Sequence, residues 1–169
     1  MYELVPSNHP LSQGDIINDC PVFRLEPSRE GLDDPEEEPT RYRVRVVVMT
    51  QACDLAQQKS NHVLVAVVHA TQDLVALGLL KPSFIRDNVR RHQVHGWYFL
   101  PAPDEPLSLS ESIIDLRDLH TVSRRILDRL ISEGKRVCRI QTPYREHLAQ
   151  HFAVTYMRIG LPEPYKTET

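Results

Sequence analysis

Tyr42-Arg-Val-Arg-Val-Val-Val-Met-Thr-Gln-Ala-Cys-Asp54 is the stretch on which the fold turns. The near-continuous apolar run from Val44 to Met49 is rich in β-branched residues, which predicts a strand buried on both faces. It then breaks into Thr50, Gln51, Cys53 and Asp54, four polar or reactive side chains where the strand leaves the core. A rigid strand that empties into a polar loop is a common way to present a site.

Outward from that stretch, His62-Val-Leu-Val-Ala-Val-Val-His69 has the same character, and the two strands predict a hairpin at the centre of a sheet. Upstream, Gly14-Asp-Ile-Ile17 opens a strand that continues through Pro21–Leu25, with Asn18 and Asp19 marking a bulge. Residues 29–40 are rich in acid, proline and glycine and read as a flexible loop. Downstream, Leu74, Leu77 and Leu80 have helical spacing, and Ser83 is placed to cap a short helix carrying Ile85 and Val89. Trp97–Leu100 reads as a strand ended by Pro101 and Pro103, and Ser112–Leu119 as a strand kinked near Arg117. A short helix is expected from Arg124 to Ile131, stopped at Gly134, and Val137–Ile140 as an edge strand. Thr142 as N-cap and Pro143 at the first helical position begin a last helix, with Tyr144, Leu148, Phe152, Tyr156 and Ile159 along one stripe. Gly160 and Pro162 end it, and residues 163–169 read as a loose tail. The fold class expected is α+β in a single domain over residues 1–169: a strongly bent antiparallel sheet or SH3-like β-barrel, short helices and a C-terminal amphipathic helix.

At 169 residues and 41% hydrophobic content the chain can bury a sizeable core. Its amino terminus lacks the basic and apolar regions of a signal peptide and no long apolar stretch follows, so the expectation is a cytoplasmic protein with no membrane contact. Cys20, Cys53 and Cys138 form no CxxC pair, which fits reduced thiols. The net charge of −3 conceals an asymmetry, because six of the 23 acids lie between Glu30 and Glu38. The rest of the chain is mildly basic, which permits a nucleic-acid partner without demanding one.

The Gly14-Asp-Ile start, the loop, an arginine before a Val-rich strand and then a second Val/Ala-rich strand resemble the MazF/PemK-type toxin family from Gly14 to Thr71, and more loosely through Ser112–Asp115. The resemblance implies a small SH3-like barrel and a homodimer whose groove cuts single-stranded RNA without metal or cofactor. It assigns the charge-stabilising arginine to Arg45, or to Arg43, and a second functional position to Thr71. Val44 stands where the family has proline, and Thr71 is displaced by His69-Ala70. The run ending in Thr50-Gln-Ala-Cys-Asp-Leu55 also resembles an uncharacterised group of bacterial proteins.

RNA cleavage without a metal needs a base for the 2′-hydroxyl, a cation for the phosphorane and an acid for the leaving oxygen. Arg45, His69 or Asp54, and Thr50 have the chemistry for those parts. The plainer alternative is that Arg43 and Arg45 simply pair with the acidic loop; under the RNA reading the same loop would cover the site, its carboxylates occupying the phosphate positions and holding the groove shut until RNA displaces them. Cys53 beside Asp54 is a nucleophile only if His62, His69 or an arginine approaches it, because a neighbouring carboxylate raises a thiol's pKa. A structural turn is the alternative for that pair. His147 and His151 have the i,i+4 spacing of a metal pair but lack the glutamate of a zincin motif, so no metal is expected. Arg90, Arg91, His92 and His95, before Trp97, form a candidate patch for phosphates and a stacked base, the favoured alternative for Trp97 being a place in the core beside a basic loop. The expected binding set is therefore Arg43, Gln51, Thr71, Arg90, Arg91 and His92, and the expected catalytic set Arg45, His69, Thr50, Cys53 and Asp54. Two partner classes remain open: single-stranded RNA, or a protein or peptide such as an antitoxin, bound by a non-enzymatic module of a bacterial defence or toxin-antitoxin system.

Overall fold

The computed structural model describes residues 1–25, 39–103 and 107–157. Much of the expected acidic loop, the end of the stripe at Ile159 and the tail lie outside the described residues. The strands are β1 (Tyr2–Glu3), β2 (Asp15–Arg24), β3 (Thr40–Val48), β4 (His62–Ala70), β5 (Trp97–Leu100), β6 (Ser112–Ser123) and β7 (Arg136–Ile140). The helices are α1 (Ala52–Ala56), α2 (Thr71–Ala76), α3 (Pro82–Asp87), α4 (Arg124–Ser132) and α5 (Tyr144–Tyr156), with a 3-10 turn at Val89–Arg91.

All seven strands join one antiparallel sheet in the order β1-β7-β2-β3-β4-β6-β5. The sheet is open, unlike the closed SH3-like barrel that was one expectation. Its edges, β1 and β5, share no ladder; Tyr2 Oη donates to the carbonyl of Pro101, just past β5, at 2.7 Å, and Tyr2 packs against the cluster that holds Tyr98 and Leu100. β1 is two residues long, and Pro101 and Pro103 deny β5 further amide donors, so neither edge can extend a closing ladder.

The central hairpin is buried as its composition demands. Val46, Val47, Val48, Val63, Val65 and Ala66 are fully buried, and alternate residues serve opposite faces. Val47, Ala66 and Val68 join Ile16, Tyr98, Leu116, Ile140 and Leu148 of α5 in one cluster. Val46, Val48, Val63 and Val65 face Leu55 of α1 and Leu127, Leu130 and Ile131 of α4 in another. A third, smaller cluster places Leu74, Ile85 and Val89 over Phe99 and Ile113. Two wet-excluding faces explain why the strand sequences show no polar alternation.

Both irregularities expected in strands are present. Register shifts between Ile17 and Cys20, where Asp19 takes a φ of 59°. It shifts again on β6 between Asp115 and Leu119, across Arg117. β7 is not the edge strand expected, because the unforeseen β1 covers it. Its tie to β2 is reinforced by the fully buried Asp15.

α5 differs from its expected stripe. Thr142 Oγ1 bonds Glu146 at 3.0 Å instead of capping an amide, and Pro143 occupies the N-cap position. Leu148 and His151 are buried, whereas Tyr144 and Tyr156 stay 45% and 50% exposed. Leu148 and Phe152 of the stripe pack on the sheet, and beside them His147 and His151 turn towards His92 and Tyr98.

Candidate functional site

The β3–β4 ladder contains three residue pairs, Val46↔Val67, Val47↔Ala66 and Val48↔Val65. Beyond Val46, β3 stays with β2 as far as Thr40, while β4 stays with β6 as far as Ala70. Among the described residues no ladder pair joins Arg43–Arg45 to Val68–Ala70, so the strands part and a cleft of about 490 Å³ opens there. Arg43 and Arg45 stand on one wall and His69 on the other, with Asn18 and Asp19 of the β2 bulge, Asp73 of α2 and Ser110 at the margins.

The bulge sets the electrostatics. Asn18 Oδ1 accepts from Arg45 Nε at 2.6 Å, which fixes the guanidinium. Asp19 pairs with Lys135 at 2.6 Å, and this hydrogen bond, helped by the charges of Lys135 and Arg43, holds its carboxyl below the ordinary range. With Asp19 paired to Lys135, Arg43 and Arg45 are the cations that line the cleft, and the Asp73 carboxylate stands at its margin.

The other anticipated residues lie elsewhere. Thr50 to Asp54 sit at the opposite end of the hairpin, where Met49 N–H donates to the Leu64 carbonyl at 2.9 Å. Four residues lie between Arg45 and Thr50, and the five extended steps span roughly 16 Å of chain. Thr50 Oγ1 accepts the Leu64 N–H at 2.8 Å, a turn-closing role. Exposed Cys53 has Gln51 Oε1 at 3.6 Å and Asp54 Oδ1 at 3.8 Å. Asp54 is itself paired with Lys59 at 2.9 Å, which lowers its pKa and raises that of Lys59. This end of the hairpin is therefore a braced turn, and the arginine, thiol and imidazole do not share a rim.

The expected basic and aromatic patch is also divided. Arg90 lies over the Phe99 ring at 5.1 Å and 3.7 Å from Glu111, while Arg91 is exposed. Trp97 is covered by Arg117 at 4.4 Å. His92 turns inward against Tyr98, His147 and His151, with ring centroids at 4.4, 5.0 and 5.9 Å. Burial, with smaller contributions from His147 and His151, pushes its pKa down to about 4. Tyr98 Oη is 3.0 Å from His147 Nδ1, and His151 Nε2 is 3.2 Å from the Val94 carbonyl. The i,i+4 histidines are thus spent on packing, and no group of three or more His, Cys, Asp or Glu among the described residues is arranged to hold a metal. Thr71 is buried beside the cleft and opens α2, with its N–H donated to the Glu111 carbonyl at 2.9 Å.

Sequence reasoning placed Arg43, Arg45 and His69 together but passed over Asp19, Asp73 and Ser110 as site residues. The Asn18-Asp19 bulge signal was visible; only the splay of β3 from β4 turns it into a cleft wall.

No protein-family model matches the chain, and no curated protein is significantly similar to it. No helix among the described residues is long and apolar enough to cross a membrane.

Proposed function

We propose that the β3–β4 cleft binds the backbone of single-stranded RNA, as the MazF/PemK resemblance implies, with Arg43 and Arg45 contacting phosphates and His69 facing them. The observation that carries this reading is that Arg43, Arg45 and His69 all line one concavity between parted strands. Phosphate contacts from arginine give binding that is sequence-tolerant and falls steeply with salt.

Cleavage is the finer form of the same proposal. Of the anticipated catalytic set, Arg45 and His69 share the cleft, and they suit charge stabilisation and proton transfer at a 2′-hydroxyl. Thr50, Cys53 and Asp54 are too remote to assist within one protomer. The open sheet departs from the closed barrel of the family, so the carry-over rests on these two residues and the dimer the family would require remains part of the proposal.

A second reading, a protein- or peptide-binding module, is favoured by the same splay. Unladdered strand walls suit an extended peptide that adds backbone hydrogen bonds. Fluorescence anisotropy with a labelled single-stranded RNA separates the two. RNA binding is expected to weaken about tenfold or more between about 50 and 200 mM salt, and Arg45→Ala to reduce the logarithmic salt slope by about one. Absence of salt-dependent binding by the wild type overturns the RNA reading. Gel analysis of the same RNA after incubation with wild type and His69→Ala tests cleavage.

A further inference from the structure

Next to the cleft, beyond Ser110, lie two contiguous cavities of about 420 and 250 Å³ that share Thr71, Val75 and Glu111 as walls. Ser110 belongs to the larger of them and to the cleft alike. The lining is apolar at Val75, Ala76 and Ile85 and polar at Gln72, Glu111 and Arg90. The wall that carries Glu111 is fixed, since Thr71 N–H donates to the Glu111 carbonyl at 2.9 Å and Ser112 Oγ donates to the Ser110 carbonyl at 2.7 Å.

Two polar groups here are not fully used. Thr71 is only 7% exposed, yet its hydroxyl makes no hydrogen bond. The Glu111 carboxylate has Arg90 at 3.7 Å, beyond hydrogen-bond reach. Buried polar atoms are seldom left unpaired without a reason, and an apolar pocket with a few convergent polar groups is the usual form of a small-ligand site.

We infer that this pocket receives one unstacked nucleobase of the RNA strand held in the cleft, with guanine the preferred occupant. The inference rests on the RNA reading of the cleft. Single-stranded RNA is read by splaying a base out of the strand, enclosing its faces and hydrogen-bonding its edge. Val75, Ala76 and Ile85 supply the apolar enclosure. The Glu111 carboxylate offers two acceptors side by side, which match the adjacent N1–H and N2–H donors of guanine and no comparable pair on uracil. Ser110, common to both concavities, puts the base pocket within one strand's reach of Arg43 and Arg45.

The test compares binding of oligouridylate with the same oligomer carrying one central guanosine, using the full chain. The wild type is expected to prefer the guanosine oligomer by about tenfold, the value of a good paired edge contact. Ala76→Trp, which fills the pocket from an exposed position, and Glu111→Gln are each expected to bring the two oligomers within about twofold while leaving the salt slope unchanged. No preference in the wild type, or a preference that survives both substitutions, overturns the base pocket and leaves the cleft reading standing. Failure of either oligomer to bind the wild type in a salt-dependent manner overturns the cleft reading itself, and the base pocket with it.

Discussion

Asp15 and Arg139 form a two-point pair, with Arg139 Nε 2.6 Å from Oδ1 and Nη2 3.1 Å from Oδ2, and the carboxylate has no exposed surface. Arg136 Nε stands 3.6 Å from the same group, and the Ser12 N–H donates to Oδ2 at 3.0 Å. Burial lowers the Arg136 pKa from its ordinary value. One acidic side chain thus holds two buried cations where β2 meets β7. Removing one member of such a buried set leaves uncompensated charge, so Asp15→Asn is expected to cost about 3–5 kcal/mol. Urea denaturation measures it, and a midpoint equal to wild type would show that the cluster is replaceable.

The histidine cluster under α5 gives the fold an acid limit. His92 and His151 both have pKa values below the ordinary 6.5, His92 down to about 4, with burial the main cause in each. They face one another, His147, His95 and the Tyr98 hydroxyl. A folded pKa below the unfolded one means that stability is fully present above pH 6.5 and is lost as the pH falls towards 4. The urea midpoint is expected to decline through that window, and His92→Gln to flatten the decline. A midpoint as steeply pH-dependent in the variant would assign the effect to other groups.

Thr50 offers a way to separate structure from function. Its hydroxyl accepts the Leu64 amide at 2.8 Å at the end of the hairpin remote from the cleft. Thr50→Val removes the acceptor at nearly constant shape and is expected to cost about 1–3 kcal/mol. RNA affinity at a temperature where the variant is folded is expected to stay unchanged. A loss of affinity without a loss of stability would return Thr50 to the binding site.

The three thiols should report the fold directly. Cys20 and Cys138 are buried and burial pushes each up to about 12, whereas Cys53 is exposed. At neutral pH the native protein is expected to consume one equivalent of a thiol reagent quickly and all three only after denaturation. Mass spectrometry of the alkylated chain would place the first adduct. Early labelling of Cys20 or Cys138 would mean that β2 or β7 opens readily.

The sequence declared its fold wherever the burial pattern was local. The valine runs of β3 and β4, the bulge at Asn18-Asp19, the kink near Arg117 and the short α4 all follow from adjacent residues and turn chemistry. β1 escaped notice because two residues cannot display a period. The choice between a bent sheet and a closed barrel stayed open in the sequence because edge pairing is decided by parts of the chain about a hundred residues apart, such as Tyr2 and Pro101. The cleft was half legible. Arg43, Arg45 and His69 could be grouped from strand ends, but Thr50–Asp54 were grouped with them by proximity in sequence alone. Extended backbone carries such neighbours apart at about 3.3 Å per residue.

Among the described residues, three ladder pairs at Val46–Val48 and Val65–Val67, extended by the Met49–Leu64 hydrogen bond, rivet β3 to β4 at the middle of the sheet. The gap between Arg45 and His69 is consequently set by the buried valine and alanine side chains of those pairs, of which Val67 alone also lines the cleft. Repacking those rivets would retune the spacing of the charged jaws as a screw sets a clamp, so the apolar centre of the molecule doubles as its gauge.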